Sequence, residues 1–206
     1  MRLASLLLLL VLDVVSGDRT AQALADKVTN LPQVSFQTNF EQFAGYLNST
    51  DGSIQSQLHY WYIESQNDPA NDPLILYMNG IQCSSIYAML MNVANLLVID
   101  TPGVGFSPNS NEDFNDERVA AFMENALNNF FTVYPERTSN IVYLAGEGYA
   151  SVYAAKIARN ILEKFDLGQS QTNLQGILIG NGLLSAQFEF NSILPIAYTH
   201  GFAGKE

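Results

Sequence analysis

A short apolar stretch of strand-forming residues, Asn140-Ile141-Val142-Tyr143-Leu144-Ala145, runs directly into Gly146-Glu147-Gly148-Tyr149-Ala150. A helix-forming stretch from Val152 to Phe165 follows. A buried strand that turns at once into a helix leaves few folds open to the chain. The layout is that of a nucleophile elbow, Gly-x-Ser-x-Gly, which holds a serine in a strained turn above a sheet and at the start of a helix. Here glycine stands at the middle position, so residue 148 has no side chain with which to attack.

The elbow is one of several strand-and-loop units. Pro73-Leu74-Ile75-Leu76-Tyr77-Met78 ends at Asn79-Gly80, and Leu96-Leu97-Val98-Ile99 ends at Asp100-Thr101-Pro102-Gly103. Gly176-Ile177-Leu178-Ile179-Gly180 closes on Asn181-Gly182. Unbroken apolar runs of this kind predict central strands of a parallel sheet, covered on both faces. Val119, Phe122, Met123, Ala126, Leu127, Phe130, Phe131 and Tyr134 recur at three- and four-residue steps and predict a helix from Asp116 to Tyr134. The acidic pair Asp116-Glu117 suits its N-terminus, and Pro135 stops it. Near the N-terminus, Phe43–Leu47 and Leu58–Ile63 flank a polar turn region from Ser49 to Ser56 and read as a hairpin. The alternation predicts an α/β fold with ligand sites at the carboxyl ends of the strands. Turns alone would also gather Gly and Asn there.

Met1-Arg2, the apolar run Leu3 to Leu12 and the small residues ending at Gly17 form a charged n-region, a short h-region and a cleavage point. The expectation is a signal peptide over 1–17 and one domain over 18–206. No apolar run approaches the ~20 residues of a membrane span. Apolar residues at 48% and charged residues at 14% argue against disorder. A net charge of −11 with nine Lys and Arg leaves no basic stripe for nucleic acid. Asn48-Ser49-Thr50 is a glycosylation acceptor read as lying in a turn, in keeping with a secreted or lysosomal destination. No metal or cofactor motif is read. The single cysteine, Cys83, is open to three readings: a free thiol, half of an intermolecular bridge, or a residue whose partner is elsewhere.

Several of these segments, in this order, resemble the serine carboxypeptidases: Val28-Thr29-Asn30-Leu31-Pro32, Phe43–Leu47, Leu58–Ser65, Asn79-Gly80 with Cys83-Ser84-Ser85, Pro102–Ser107, Gly146-Glu147-x-Tyr149 and Ile179–Gly182. The resemblance runs from about Asp26 to Gly201. It implies an α/β-hydrolase-type sheet, represented by its N-terminal part, with the later strands of the fold beyond the matched region. It also implies, in active members, release of C-terminal residues from peptides at acidic pH.

That chemistry needs a serine, a histidine to take its proton and a carboxylate to orient the histidine. The resemblance puts the nucleophile at Gly148, and neither His59 nor His200 matches the family's catalytic histidine, which follows later strands together with its aspartate. Ser151 is read as one turn into the helix, in a capping or packing role. The Tyr149 N–H carries over as one oxyanion donor, and the second falls near Gly80 or Ile81, in a loop shorter than the family's and lacking its second glycine, proline and further glycine. Asn79, Gly80 and Glu147 match positions that bind the substrate's terminal carboxylate, which Glu147 can meet only when protonated. The family's acidic partner to Glu147 falls in a shortened stretch between Ser85 and Asn95. The resemblance pairs Cys83 with a cysteine of the later half, which favours the third reading of the thiol.

Three functions stay open. The chain is a family homologue without hydrolytic activity, binding peptide C-termini or acting in protein interaction. Or it is a serine-type carboxypeptidase known here from an incomplete gene model or isoform. Or it is a decayed or spliced product without a stable fold. An apolar strand at 177–179 at the sheet's edge leads to one further expectation, a homo- or hetero-oligomer formed through that edge.

Overall fold

A computed structural model describes residues 19–32, 38–79, 93–108 and 114–204. Gly80, Cys83 and the expected signal peptide lie outside them. The chain order is α1 (Ala21–Ala25), β1 (Gln42–Asp51), β2 (Ile54–Ile63), β3 (Leu74–Asn79), β4 (Asn95–Ile99), α2 (Asp116–Val133), a 3₁₀ turn (Pro135–Arg137), β5 (Val142–Glu147), α3 (Ala150–Asp166), β6 (Leu174–Gly180) and α4 (Ala186–Thr199). The strands form one six-stranded sheet in the order β1-β2-β4-β3-β5-β6. It is mixed rather than wholly parallel. β1, β2 and β4 pair antiparallel, while β4, β3, β5 and β6 run parallel. The parallel half carries the elbow.

Two expectations about local structure need correction. The hairpin has no long turn: β1 and β2 pair without a break from Gln42↔Ile63 to Asp51↔Ile54. Only Gly52 and Ser53 connect them, with Gly52 at φ 58°. Asn48 therefore lies in a strand, not a turn. Polar composition misled because this end of the hairpin alternates exposed and buried residues on a half-solvated surface, and polar strand residues read as loop. Second, α3 begins at Ala150, so Ser151 is its second residue and not one turn inside.

Helix α2 starts where its cap dictates. The Asn115 side chain accepts from the Arg118 N–H at 2.9 Å, with Asp116 and Glu117 in the first turn. Its apolar face packs on one side of the sheet and joins the buried aromatic cluster of Phe43, Tyr62, Phe122, Phe130 and Tyr134. Each fully buried side chain of this size contributes about 1.5–3 kcal/mol. Beside it α3 buries Ala150, Ala154 and Ala158, small residues that let its backbone approach. The buried Glu124 of α2 ties the two helices through Lys164 Nζ at 2.6 Å. Sheet and helices together fix the end of β5.

Candidate functional site: an elbow without a side chain

β5 delivers Glu147 to the sheet's carboxyl edge, and the chain then reverses through Gly148 at φ 59° into α3. A Cβ at Gly146 would stand 2.6 Å from the Ala150 carbonyl oxygen, so only glycine lets the strand pass that close beneath the helix. At Gly148 the opposite holds: nothing lies within 4 Å of where a Cβ would be. The position points into open space, held in the left-handed conformation of an elbow, and carries no atom to use there.

The turn is braced from behind. The Gly148 N–H donates to the Gly180 carbonyl at 3.0 Å, and the Gly148 carbonyl accepts from Ser151 N at 3.2 Å and Leu183 N at 3.4 Å. The Ser151 hydroxyl donates to that same carbonyl at 2.7 Å and is fully buried. Its oxygen faces the scaffold, away from the open side. Gly182 packs against it, since a Cβ there would fall 2.7 Å from Ser151 Cβ.

Tyr149 caps α3 at φ −63°, which places its N–H among the unpaired donors of a helix start. Its ring leans back to α2, with the hydroxyl donating to the Asp116 carboxylate at 3.0 Å. That hydrogen bond holds the phenol above its usual range. The exposed Glu147 accepts from the Tyr77 hydroxyl at 3.0 Å. Asn79 is the register partner of Glu147 on β3, and Gly180 its partner on β6, so the sheet sets Asn79 and Glu147 side by side. Tyr77, Ala145, Gly146, Glu147 and residues 177–180 line a cavity of ≈ 430 Å³ beside the elbow. A larger hollow of ≈ 560 Å³ lies at the hairpin, between Asn48–Thr50, Gln55–Gln57 and Pro108, with no titratable side chain among the described residues that line it.

One pairing escaped the sequence reading. His59 Nδ1 donates to Asp100 Oδ2 at 2.9 Å, joining β2 to the residue after β4. The same carboxylate oxygen accepts the Phe106 N–H at 3.1 Å, and Phe106 packs edge-on against the imidazole. Ser107 completes the clasp, donating to the Asp100 carbonyl at 2.7 Å and accepting the His59 N–H at 2.9 Å. Burial pushes the Asp100 carboxyl up, but the bonds from His59 and Phe106 outweigh it and hold the group below the ordinary aspartate range.

A histidine paired with an aspartate has the look of a catalytic base, yet the sheet order rules it out for the elbow. β2 and β5 are separated by β4 and β3, three interstrand steps or about 14 Å. A base must come within ~3 Å of the proton it takes. His200 caps the end of α4, with Nδ1 3.0 Å from the Ile196 carbonyl. His59 does not serve Gly148.

An elbow of this geometry after the third parallel strand, with Asn79 and Glu147 at adjoining strand ends, narrows the comparison with known proteins. The serine carboxypeptidase family model matches residues 32–93 and 91–206. The chain belongs to the serine carboxypeptidase family. The lysosomal protective protein of Mus musculus is 36% identical over 228 residues, covering 98% of this chain and 46% of that protein. A serine carboxypeptidase of Caenorhabditis elegans is 32% identical, covering 87% of this chain and 43% of its own length. Among solved structures, a prohormone-processing carboxypeptidase from Saccharomyces cerevisiae superposes with a TM-score of 0.77 at 25% identity, over 91% of this chain and 49% of that one. A hydrolase structure from Agrobacterium vitis, at a TM-score of 0.53 and 14% identity, shares the fold alone.

The fold is thus the α/β-hydrolase-type sheet in part, and the chain spans about half the length of the curated relatives it matches. The two matched pieces meet at 91–93, at the end of the stretch read as shortened after Ser85.

Proposed function

We propose that this chain is a serine carboxypeptidase homologue that has lost serine hydrolysis and keeps part of a site for peptide C-termini. The observation that carries the first half is Gly148: the turn, the φ of 59° and the open side are those of an elbow, and the hydroxyl is absent. Acyl transfer by this family's route needs an oxygen nucleophile at that point. Ser151 does not stand in for it, because its hydroxyl is committed to the Gly148 carbonyl beneath the turn.

The second half rests on Asn79 and Glu147 in register, with Tyr77 holding the Glu147 carboxyl beside the cavity. Glu147 bonds a second carboxyl group only as the protonated acid, which favours acidic surroundings. The Tyr149 N–H at the start of α3, together with Gly80, which the family resemblance matches, completes the donors we assign to this site. Residues 1–17, which we assign as a leader, and Asn48, which we assign as a glycan acceptor, support a destination in the secretory pathway, secreted or lysosomal. The name of the murine relative accords with the lysosome.

A second reading has one observation in its favour: the match to only about half of each relative. In it, this chain is part of a longer carboxypeptidase that releases C-terminal residues from peptides. That reading still has to work with glycine at position 148.

The test is to incubate the purified protein with an N-blocked dipeptide at pH 4 to 6, and to compare its binding of a peptide with that of the peptide's C-terminal amide. The proposal expects no turnover and tighter binding of the free carboxylate. Turnover contradicts the first half, and equal affinity for the amide contradicts the second.

A further inference from the structure

Asn48-Ser49-Thr50 is the only Asn-x-Ser/Thr triplet in the chain, so a glycan has one place to attach. Along an extended strand every second residue faces the same way. Tyr46, Asn48 and Thr50 therefore share the outer face of the hairpin and are exposed, while Leu47 and Ser49 between them are buried. The register sets His59 beside Tyr46, Gln57 beside Asn48 and Gln55 beside Thr50. This face belongs to the opposite edge of the sheet from β6, and the hairpin is paired along its whole length.

The acceptor is held firmly. The Asn48 N–H donates to Asn129 Oδ1 of α2 at 2.8 Å, and the Thr50 carbonyl accepts from Asn125 Nδ2 at 2.7 Å. Between them, the Ser49 hydroxyl donates to the Phe122 carbonyl at 2.6 Å. In the Asn48 side chain it is the oxygen that is engaged, accepting from Gln57 Nε2 at 3.2 Å. Attaching a sugar replaces one N–H of the amide and leaves this oxygen in place, so the Gln57 bond survives and orients the linkage.

On one side of Asn48 the face is taken. The Tyr46 hydroxyl donates to the Phe106 carbonyl at 3.2 Å, and its ring packs edge-on against His59. On the other side lies the hollow of ≈ 560 Å³, bordered by Asn48 itself, Thr50, Gln55, Gln57 and Pro108. That volume falls within the ~300–1,000 Å³ of small-ligand sites. Its lining suits a neutral sugar. Amides and hydroxyls both donate and accept, as do the hydroxyls and acetamido group of N-acetylglucosamine, and the Pro108 ring offers an apolar wall. The side chains of Thr50 and Gln55 make no hydrogen bond to another described residue. In a chain of net charge −11, no Asp, Glu, Lys or Arg is among the described residues that line the hollow.

We propose that the glycan of Asn48 is part of the fold: its first N-acetylglucosamine lies in this hollow, against Thr50, Gln55 and Pro108, and covers the end of the hairpin. The inference rests on Asn48 being the acceptor assigned above.

The experiment uses the full chain secreted from eukaryotic cells and trimmed by an endoglycosidase to a single N-acetylglucosamine. Intact mass establishes the sugar, and isotope-edited NMR then reads the contacts of its acetyl methyl group. The expected result is nuclear Overhauser contacts to Pro108 and Gln55. The same chain made in cells treated with an inhibitor of N-glycosylation should melt roughly 2–4 °C lower, the shift of one modest contact in a chain of this length. Gln55→Ala, at an exposed position, should lower the midpoint of the sugar-bearing chain and leave that of the bare chain unchanged. A sugar without contacts to the hollow, or a Gln55→Ala effect equal in both forms, overturns the inference and leaves Asn48 an acceptor. A chain secreted without any glycan overturns both.

Discussion

The Ser151 hydroxyl donates to the Gly148 carbonyl at 2.7 Å, so the serine nearest the elbow holds the turn from beneath instead of serving it from above. Scaffold and chemistry are separable here. The turn is kept by Gly146, by Ser151 and by the N–H of Gly148 on Gly180, and none of these depends on a nucleophile.

Restoring the hydroxyl should not restore the reaction. Gly148→Ser has room for its side chain and must accept a left-handed φ, at about 1–2 kcal/mol. His59 does not reach that position, and the His200 Nδ1 is turned to the Ile196 carbonyl of its own helix. We expect a folded variant that stays without dipeptide turnover at pH 4 to 6. Measurable turnover would show that a base has been overlooked.

The clasp at Asp100 sets a pH dependence. Its carboxyl is held below the ordinary aspartate range when folded, by bonds that outweigh burial. The stability it contributes is therefore present above the unfolded value of ~3.9 and is lost as pH falls through the lower folded value. Denaturant midpoints should decline below about pH 4 more steeply for the native chain than for Asp100→Asn. At neutral pH that variant should be about 1–2 kcal/mol less stable. Parallel declines would remove Asp100 from the account.

At the other end of the strands, Arg137 Nη2 meets Glu64 Oε1 at 2.6 Å, both side chains almost fully buried. Arg137 also donates to the Pro69 carbonyl at 2.6 Å, and Arg19 bonds to the same Glu64 oxygen. Removing Arg137 takes a charged hydrogen bond from the buried Glu64 and leaves it with the part-exposed Arg19 as its cation. Arg137→Ala should lose about 1.5–3 kcal/mol in equilibrium unfolding, the range of a lost hydrogen bond to a charged group. A loss under 1 kcal/mol would mean that water reaches Glu64.

Asn48 is exposed in β1, its side-chain oxygen accepting from Gln57 at 3.2 Å, while Ser49 is buried and donates to the Phe122 carbonyl at 2.6 Å. Expressed through a secretory pathway, the chain should carry a glycan removable by a peptide N-glycosidase, and Thr50→Ala should abolish it. An unshifted mass would count against the secretory assignment.

Much of this was legible in the residues. The apolar runs at 74–78, 96–99 and 177–179 are strands, and the face of α2 follows its three- and four-residue steps. Asn79 and Glu147 meet because both end parallel strands, which the pattern anticipates. The hairpin was underestimated because polar strand residues on a solvated surface resemble loop residues. The His59–Asp100 pair was hidden for a different reason. It depends on β2 lying antiparallel to β4 with Tyr60 opposite Ile99, and cross-strand register between distant segments leaves no local trace. α4 is apolar on every side and carries Pro195 within it, so no one-sided period marks it as a helix.

Covalent labelling tests directly whether this elbow lacks a nucleophile. The purified chain is treated with a fluorophosphonate at pH 5 and at pH 7, and its intact mass is recorded beside that of an active serine hydrolase. The expected result is an unchanged mass at both pH values. A stoichiometric adduct, mapped to Ser151 or to any other serine, would contradict it.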